Sequence, residues 1–137
     1  MKLELLAQYL DDEDVARQGR DLFVHFMPEE VTEGVMLKAR FQPTERMIDL
    51  PDYYKTGFQV IIRASNYIDG NAMADRVSSV LTLGQITMGD EDEYQQLFRY
   101  IRPLHQPIVY PLSRADLLEF SVNFETVFVE CQPISTD

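Results

Sequence analysis

Residues 117–130 read LLEFSVNFETVFVE. From Leu118 onward Leu118, Phe120, Val122, Phe124 and Phe128 fall on one face, and Glu119, Ser121, Asn123 and Glu125 on the other. A two-residue period of this kind is that of a half-buried β-strand. The polar face then turns apolar, because Val127 and Val129 fall where water is expected. Something must cover the second face of this strand. A helix on each face would bury both, and so would contact with another protein chain.

The segments upstream supply the layers for such a strand. Leu3, Leu6 and Leu10 recur at helical spacing, with Leu5 and Tyr9 widening the stripe, so a short amphipathic helix opens the chain. Residues 21–27, DLFVHFM, are β-prone and stop at Pro28, and residues 34–41, GVMLKARF, form a second strand after a polar connection. The two read as a hairpin. In FQVIIRA, Phe58, Val60, Ile62 and Ala64 face one way and Gln59, Ile61 and Arg63 the other, the pattern of a central strand. A helix follows, with Asp69 placed to cap it, Met73, Val77, Val80 and Leu81 along one stripe, and Gly84 placed to close it in a left-handed conformation. Beyond it lie a short strand at residues 85–88, a turn at Gly89, a strand over residues 97–102, the proline-bracketed PIVYP, a turn at SRAD, and the opening strand. This order predicts an α+β fold in one domain spanning residues 1–137, a mostly antiparallel β-sheet flanked by an N-terminal helix and a central helix.

Composition narrows the function classes. The chain has 137 residues, 45% of them hydrophobic, which suits one domain with a real core. Its 23 acidic residues outnumber 12 basic ones, for a formal charge of -11. That excess repels phosphate backbones and anionic lipid, so neither sequence-specific nucleic-acid binding nor membrane association is expected. No stretch reaches the roughly 18 apolar residues of a membrane span. The first residues lack the pattern of a signal peptide. The single cysteine, Cys131, forms no intrachain disulfide, which fits folding inside a cell.

Motifs of chemistry are sparse. Neither His25, inside a strand segment, nor His105, in the LHQP loop, has a second metal ligand at helical spacing. The run Asp11–Asp14 reads as a solvated charge cluster, since Arg17 stands where a calcium loop counted from Asp12 needs glycine. No phosphate-cradling glycine motif is present, and no local signature activates Cys131 as a nucleophile. No catalytic residue, metal or cofactor is therefore expected. A small enzyme or ligand-binding domain with His105 or Cys131 in a cleft is the competing class. Tyr53, Tyr54 and Lys55, in PDYYKTG, form either an aromatic contact surface or a loop whose tyrosines lie over the core.

Several segments together carry a resemblance. They are the DLFVHFMP strand ending in Met-Pro, the strand and helix unit TGFQVIIRASNYIDGNAMADRVSSVLTL, and QPIVYP followed by LLEFSVNFETVF. From about Asp21 to Val129 the chain resembles the small tail terminator, or tail completion, proteins of long-tailed bacteriophages, a group that includes sequences labelled minor capsid proteins. The resemblance implies a virion protein that assembles as a hexameric ring at the head-proximal end of the tail tube. There it stops tube polymerisation and offers a surface to the head-tail connector protein. A head-completion or connector protein of the same virion is the neighbouring alternative. The implied partners are copies of the chain, the tail tube protein and the connector, with DNA passing through the ring. An acidic lumen would speed that passage. Such a role needs contact residues rather than catalytic ones. The expected contacts are Tyr53, Tyr54 and Lys55 before the central strand, the scarce cations Arg99 and Arg102, and Val127 and Val129 as apolar interface atoms.

Overall fold

The computed structural model describes residues 1–40, 42–49, 52–90, 92–112 and 116–131, with Glu130 and Cys131 described by backbone alone. The SRAD turn, but for Asp116, and the thiol of Cys131 lie outside the described residues. Among the described residues two helices, α1 (Leu3–Asp12) and α2 (Tyr67–Val80), accompany eight strands. The strands are β1 (Leu22–Val24), β2 (Gly34–Ala39), β3 (Glu45–Arg46), β4 (Tyr53–Ala64), β5 (Ile86–Asp90), β6 (Tyr94–Pro103), β7 (Ile108–Pro111) and β8 (Leu118–Cys131). They form one sheet in the order β1-β2-β4-β8-β6-β5, with β3 on β4 and β7 on β8. The α+β class is as expected.

The sheet is organised by β4 and β8, which pair antiparallel without interruption from Tyr53↔Val129 to Ala64↔Leu118. Their shared inner face carries the aromatic core. The rings of Phe58 and Phe124 stack 5.0 Å apart at 5°, and Phe128 lies between Tyr54 (5.8 Å) and Phe98 (6.4 Å). Offset aromatic pairs of this sort add about 0.5–1.5 kcal/mol each beyond the area they bury.

Both helices lie on that inner face. The buried side of α1 (Leu3, Leu6, Ala7 and Leu10) joins the same core as Phe58, Phe98, Phe120 and Phe128. Because α1 touches β1, β2 and β5, it meets strands at both ends of the sheet order and closes the curl of the sheet. Helix α2 lies on β4 and β8, with Gly70 against Phe120. The alternative of one helix on each face is overturned, and the outer face carries no helix among the described residues.

Five local expectations are corrected. Strands β1 and β2 run parallel rather than as a hairpin. The chain turns at His25 (φ 70°), so this histidine follows the strand instead of lying inside it, and residues 25–33 cross back to β2. That crossover is pinned over the outer face by Arg63, whose Nη1 donates to the carbonyls of Pro28 and Val31 at 3.0 Å each. The cap of α2 is Asn66, not Asp69. The Asn66 side-chain oxygen accepts from the Asp69 backbone N–H and its amide donates to the Asp69 carboxylate, so Asp69 sits in the first turn and holds the cap in place. Gly84 lies outside the left-handed region, and the helix closes at Leu81, whose N–H still reaches Val77 O. Gly89 sits within β5 at φ 108°, where a Cβ would fall 2.1 Å from the Tyr94 carbonyl oxygen.

Candidate functional site

The outer face is built by parity. With Phe58, Val60 and Ile62 turned inward, alternation sends Tyr53, Lys55, Gly57, Gln59, Ile61 and Arg63 outward along β4. On β8 the same rule turns Glu119, Ser121, Asn123, Glu125, Val127 and Val129 outward. The register then decides neighbours. Val127 lies between Lys55 and Tyr100, Glu125 between Gly57 and Arg102, and Val129 between Tyr53 and Leu97.

A bulge between Phe98 and Tyr100 inserts Arg99 into β6 and leaves the ladder locally irregular. The Thr126 hydroxyl, fully buried, donates to the Tyr100 carbonyl at 2.7 Å. The bulge also sets the direction of Arg99, whose guanidinium lies 5.6 Å from the centre of the Tyr53 ring, while that of Arg102 lies 5.0 Å from the Tyr100 ring. Both distances suit cation–π attraction.

At the centre of this patch Glu125 is clamped from both sides. Lys55 Nζ lies 2.9 Å from Oε1, and Arg102 Nε donates to Oε2 at 2.9 Å. The Lys55 hydrogen bond above all, then that of Arg102, holds the Glu125 carboxyl below its ordinary pKa against the opposing effect of desolvation. The same contacts raise the pKa of Lys55 and of Arg102. Burial, reinforced by Glu125, raises that of the Tyr100 phenol. Three strands are thereby joined by one carboxylate.

The second face of β8 is thus covered within the chain by long side chains rather than by a helix. Val127 is only 3% exposed, lying between Lys55 and Tyr100 with the apolar stems of such residues available to shield it, and Val129 is half-buried. Of the seven expected contact residues, Tyr53, Lys55, Arg99, Arg102, Val127 and Val129 come together here. Tyr54 does not, because it faces inward and stacks on Phe128. Glu125 and Tyr100 were not singled out in the sequence. The polar parity of Glu125 was visible, but the register that delivers two cations to it was not.

The opposite end of this face holds a second ion pair. Arg63 and Glu119 meet at 3.2 Å, with side chains 9% and 12% exposed. His105 caps a gap in the sheet: its Nε2 accepts from the Asn123 N–H at 3.2 Å, while Nδ1 lies 2.6 Å from the Gln106 carbonyl oxygen. This arrangement requires the Nδ1–H tautomer and occupies both ring nitrogens with backbone partners. Among the described residues no group of three or more His, Cys, Asp or Glu is arranged to hold a metal, and no helix is long and apolar enough to cross a membrane.

The fold is shared with a chain from the virion of a native gene transfer agent particle, at TM-score 0.68 and 13% identity over 93% of each chain. No curated protein sequence matches. The sequence model of the bacteriophage tail terminator proteins matches residues 9–130, which include both central strands, α2 and the whole outer-face patch. The chain therefore belongs to the bacteriophage tail terminator family, as a structural protein of the virion tail.

Proposed function

We propose that copies of this chain join as a hexameric ring at the head-proximal end of the tail tube, where the ring ends tube polymerisation and receives the head-tail connector protein. One observation carries the reading: a family member in which one long sheet face carries no helix among the described residues, and on which aromatic and arginine side chains converge. A subunit of a closed ring meets its two neighbours through two different surfaces, and a helix-free face supplies one of them. Tyrosine and arginine are the residue types that dominate such contacts.

In this role Tyr53, Lys55, Arg99, Arg102 and Val129 touch the neighbour, Val127 forms the apolar floor beneath them, and Tyr54 supports β4 from the core side. The activity is stereochemical, since a shaped surface caps a polymer end. It uses no catalytic residue and no cofactor. DNA passes through the ring without sequence-specific contact, and no membrane is engaged.

The test is the mass of the purified protein across concentration, alone and with assembled tail tubes, by native mass spectrometry or light scattering. A closed six-membered species, in solution or on tubes, is expected, and tubes grown without the protein should exceed their normal length. A chain that stays monomeric on tubes and leaves their length unchanged would refute the reading.

A further inference from the structure

The outer face also holds a groove that the clamp at Glu125 does not fill. Its floor is the cross-strand row Gln59↔Asn123, and beside that row the Arg40 stem and the Gln42 amide lie over Gly57. Lys38 and Arg40 form its wall on the β2 side in a space of 590 Å³, and Arg40 also lines an adjoining pocket with Glu45, Lys55, Leu104 and Glu125. No carboxylate partners Lys38 or Arg40 among the described residues, although the chain carries a net charge of -11. Lys55 and Arg102 are already committed to Glu125. Glu45 lies opposite Lys55, so Lys38 and Arg40, which make no ion pair among the described residues, fit a ligand with carboxylates over a polar floor.

The same chain displays such a ligand at the β6–β5 edge of the sheet order. Between β5 and β6 the Glu93 N–H bonds to Asp90 O at 3.1 Å and the Asp92 N–H to the Asp90 carboxylate at 2.9 Å. The carboxylates of Asp92 and Glu93 are exposed at its tip and have no cationic partner among the described residues. The competing acidic segment is less available, because Arg17 holds Asp11 and Asp14, and Gln8 holds Asp12.

From this juxtaposition we infer that the acidic β5–β6 hairpin tip of one copy seats in the Lys38–Arg40 groove of the next copy. The inference rests on the reading that copies of this chain join side by side, and it names the contact that joins them. The tip belongs to the β6–β5 edge of the strand order and the groove to β2, β4 and β8. Pairing one copy's tip with the next copy's groove is heterologous, the geometry that closes a ring.

The test uses the full chain with charge-reversed tips (Asp92→Lys with Glu93→Lys), charge-reversed grooves (Lys38→Glu with Arg40→Glu), and both changes in one chain. Each single-site variant is expected to self-associate roughly tenfold or more weakly, as for the loss of complementary charge pairs. An equimolar mixture of the two variants, and the chain carrying both, should recover assembly, because tip and groove are again complementary. Thermal unfolding identifies any variant that has lost its fold, and Lys38→Gln with Arg40→Gln then replaces it. If both single-site variants assemble like the parent, this contact is wrong while the ring reading stands. If the parent itself never assembles on tubes, both fail. If the groove variant instead loses affinity for a short duplex DNA probe and keeps self-association, the groove serves nucleic acid and the inference is overturned.

Discussion

Gly70 and Phe120 show how tightly single residues are set. A Cβ built on Gly70 would lie 2.0 Å from the Phe120 ring, and that ring is fully buried between α2 and the sheet. Alanine is the better helix former by about 1 kcal/mol. Here overpacking outweighs the gain, so Gly70→Ala should lower stability by about 1–3 kcal/mol in urea unfolding. An unchanged midpoint would mean that α2 can lift off the sheet. Arg63 is the polar counterpart. It is 8% exposed and satisfies Glu119 and two carbonyls of the crossover at once. Removing it leaves a nearly buried carboxylate without its cation, and Arg63→Ala should cost about 3 kcal/mol. Amide exchange should rise first in residues 25–33; if it does not, the crossover is held by something else. Neither contact was legible beforehand, since each joins residues far apart in the sequence.

At the scale of elements, the three-strand clamp β4–β8–β6 gives the protein an acid sensitivity of known sign. The Glu125 carboxyl titrates below its ordinary value in the folded chain. Its contribution to stability is therefore complete above the unfolded carboxylate pKa and is lost as pH falls through the depressed folded one. The denaturation midpoint of the parent should drop over that acidic window. Glu125→Gln should show a smaller drop, whereas an identical pH profile would remove the clamp from the account of stability. His105 acts at a different junction, where β6 ends and β7 begins along the same edge of β8. Replacing it by Ala removes the acceptor of the Asn123 N–H and should cost about 1 kcal/mol, with faster exchange of that amide as the local readout. The strands themselves were mostly visible from alternation. Their pairing was not: two β-prone runs separated by polar residues suggested a hairpin, and only the backbone reversal at His25 makes β1 parallel to β2.

At the scale of the whole molecule, α1 is the piece that turns a curled sheet into a closed core. Leu6 and Leu10 are fully buried and the helix meets both ends of the strand order. Its first turn is tied to β6 by the Lys2 N–H, which donates to Gln96 Oε1 at 3.2 Å. Leu6→Ala should destabilise the whole chain by about 2–5 kcal/mol and increase binding of a hydrophobic dye, since the cavity opens between α1 and the sheet. A local effect confined to α1, with β1 and β5 still protected from exchange, would show that the sheet closes without it. With α1 and α2 both on the inner face, the part of the outer face that the 25–33 crossover leaves open depends on its own side chains for cover.

Alternation along residues 53–64 and 118–129 fixed which side chains face the core, because strand geometry gives each residue its face independently of its neighbours. The stripes of α1 and α2 and the α+β class came from the same local rules. The curl of the sheet, the single-sided placement of the helices, and the meeting of Lys55, Arg102 and Glu125 did not. Each depends on which strand lies beside which and in what register, and those are set by contacts between residues tens of positions apart. Val127 illustrates the division. Its parity marked it as an apolar residue on a polar face, and only the tertiary register put it between Lys55 and Tyr100, where it is buried without a helix above it.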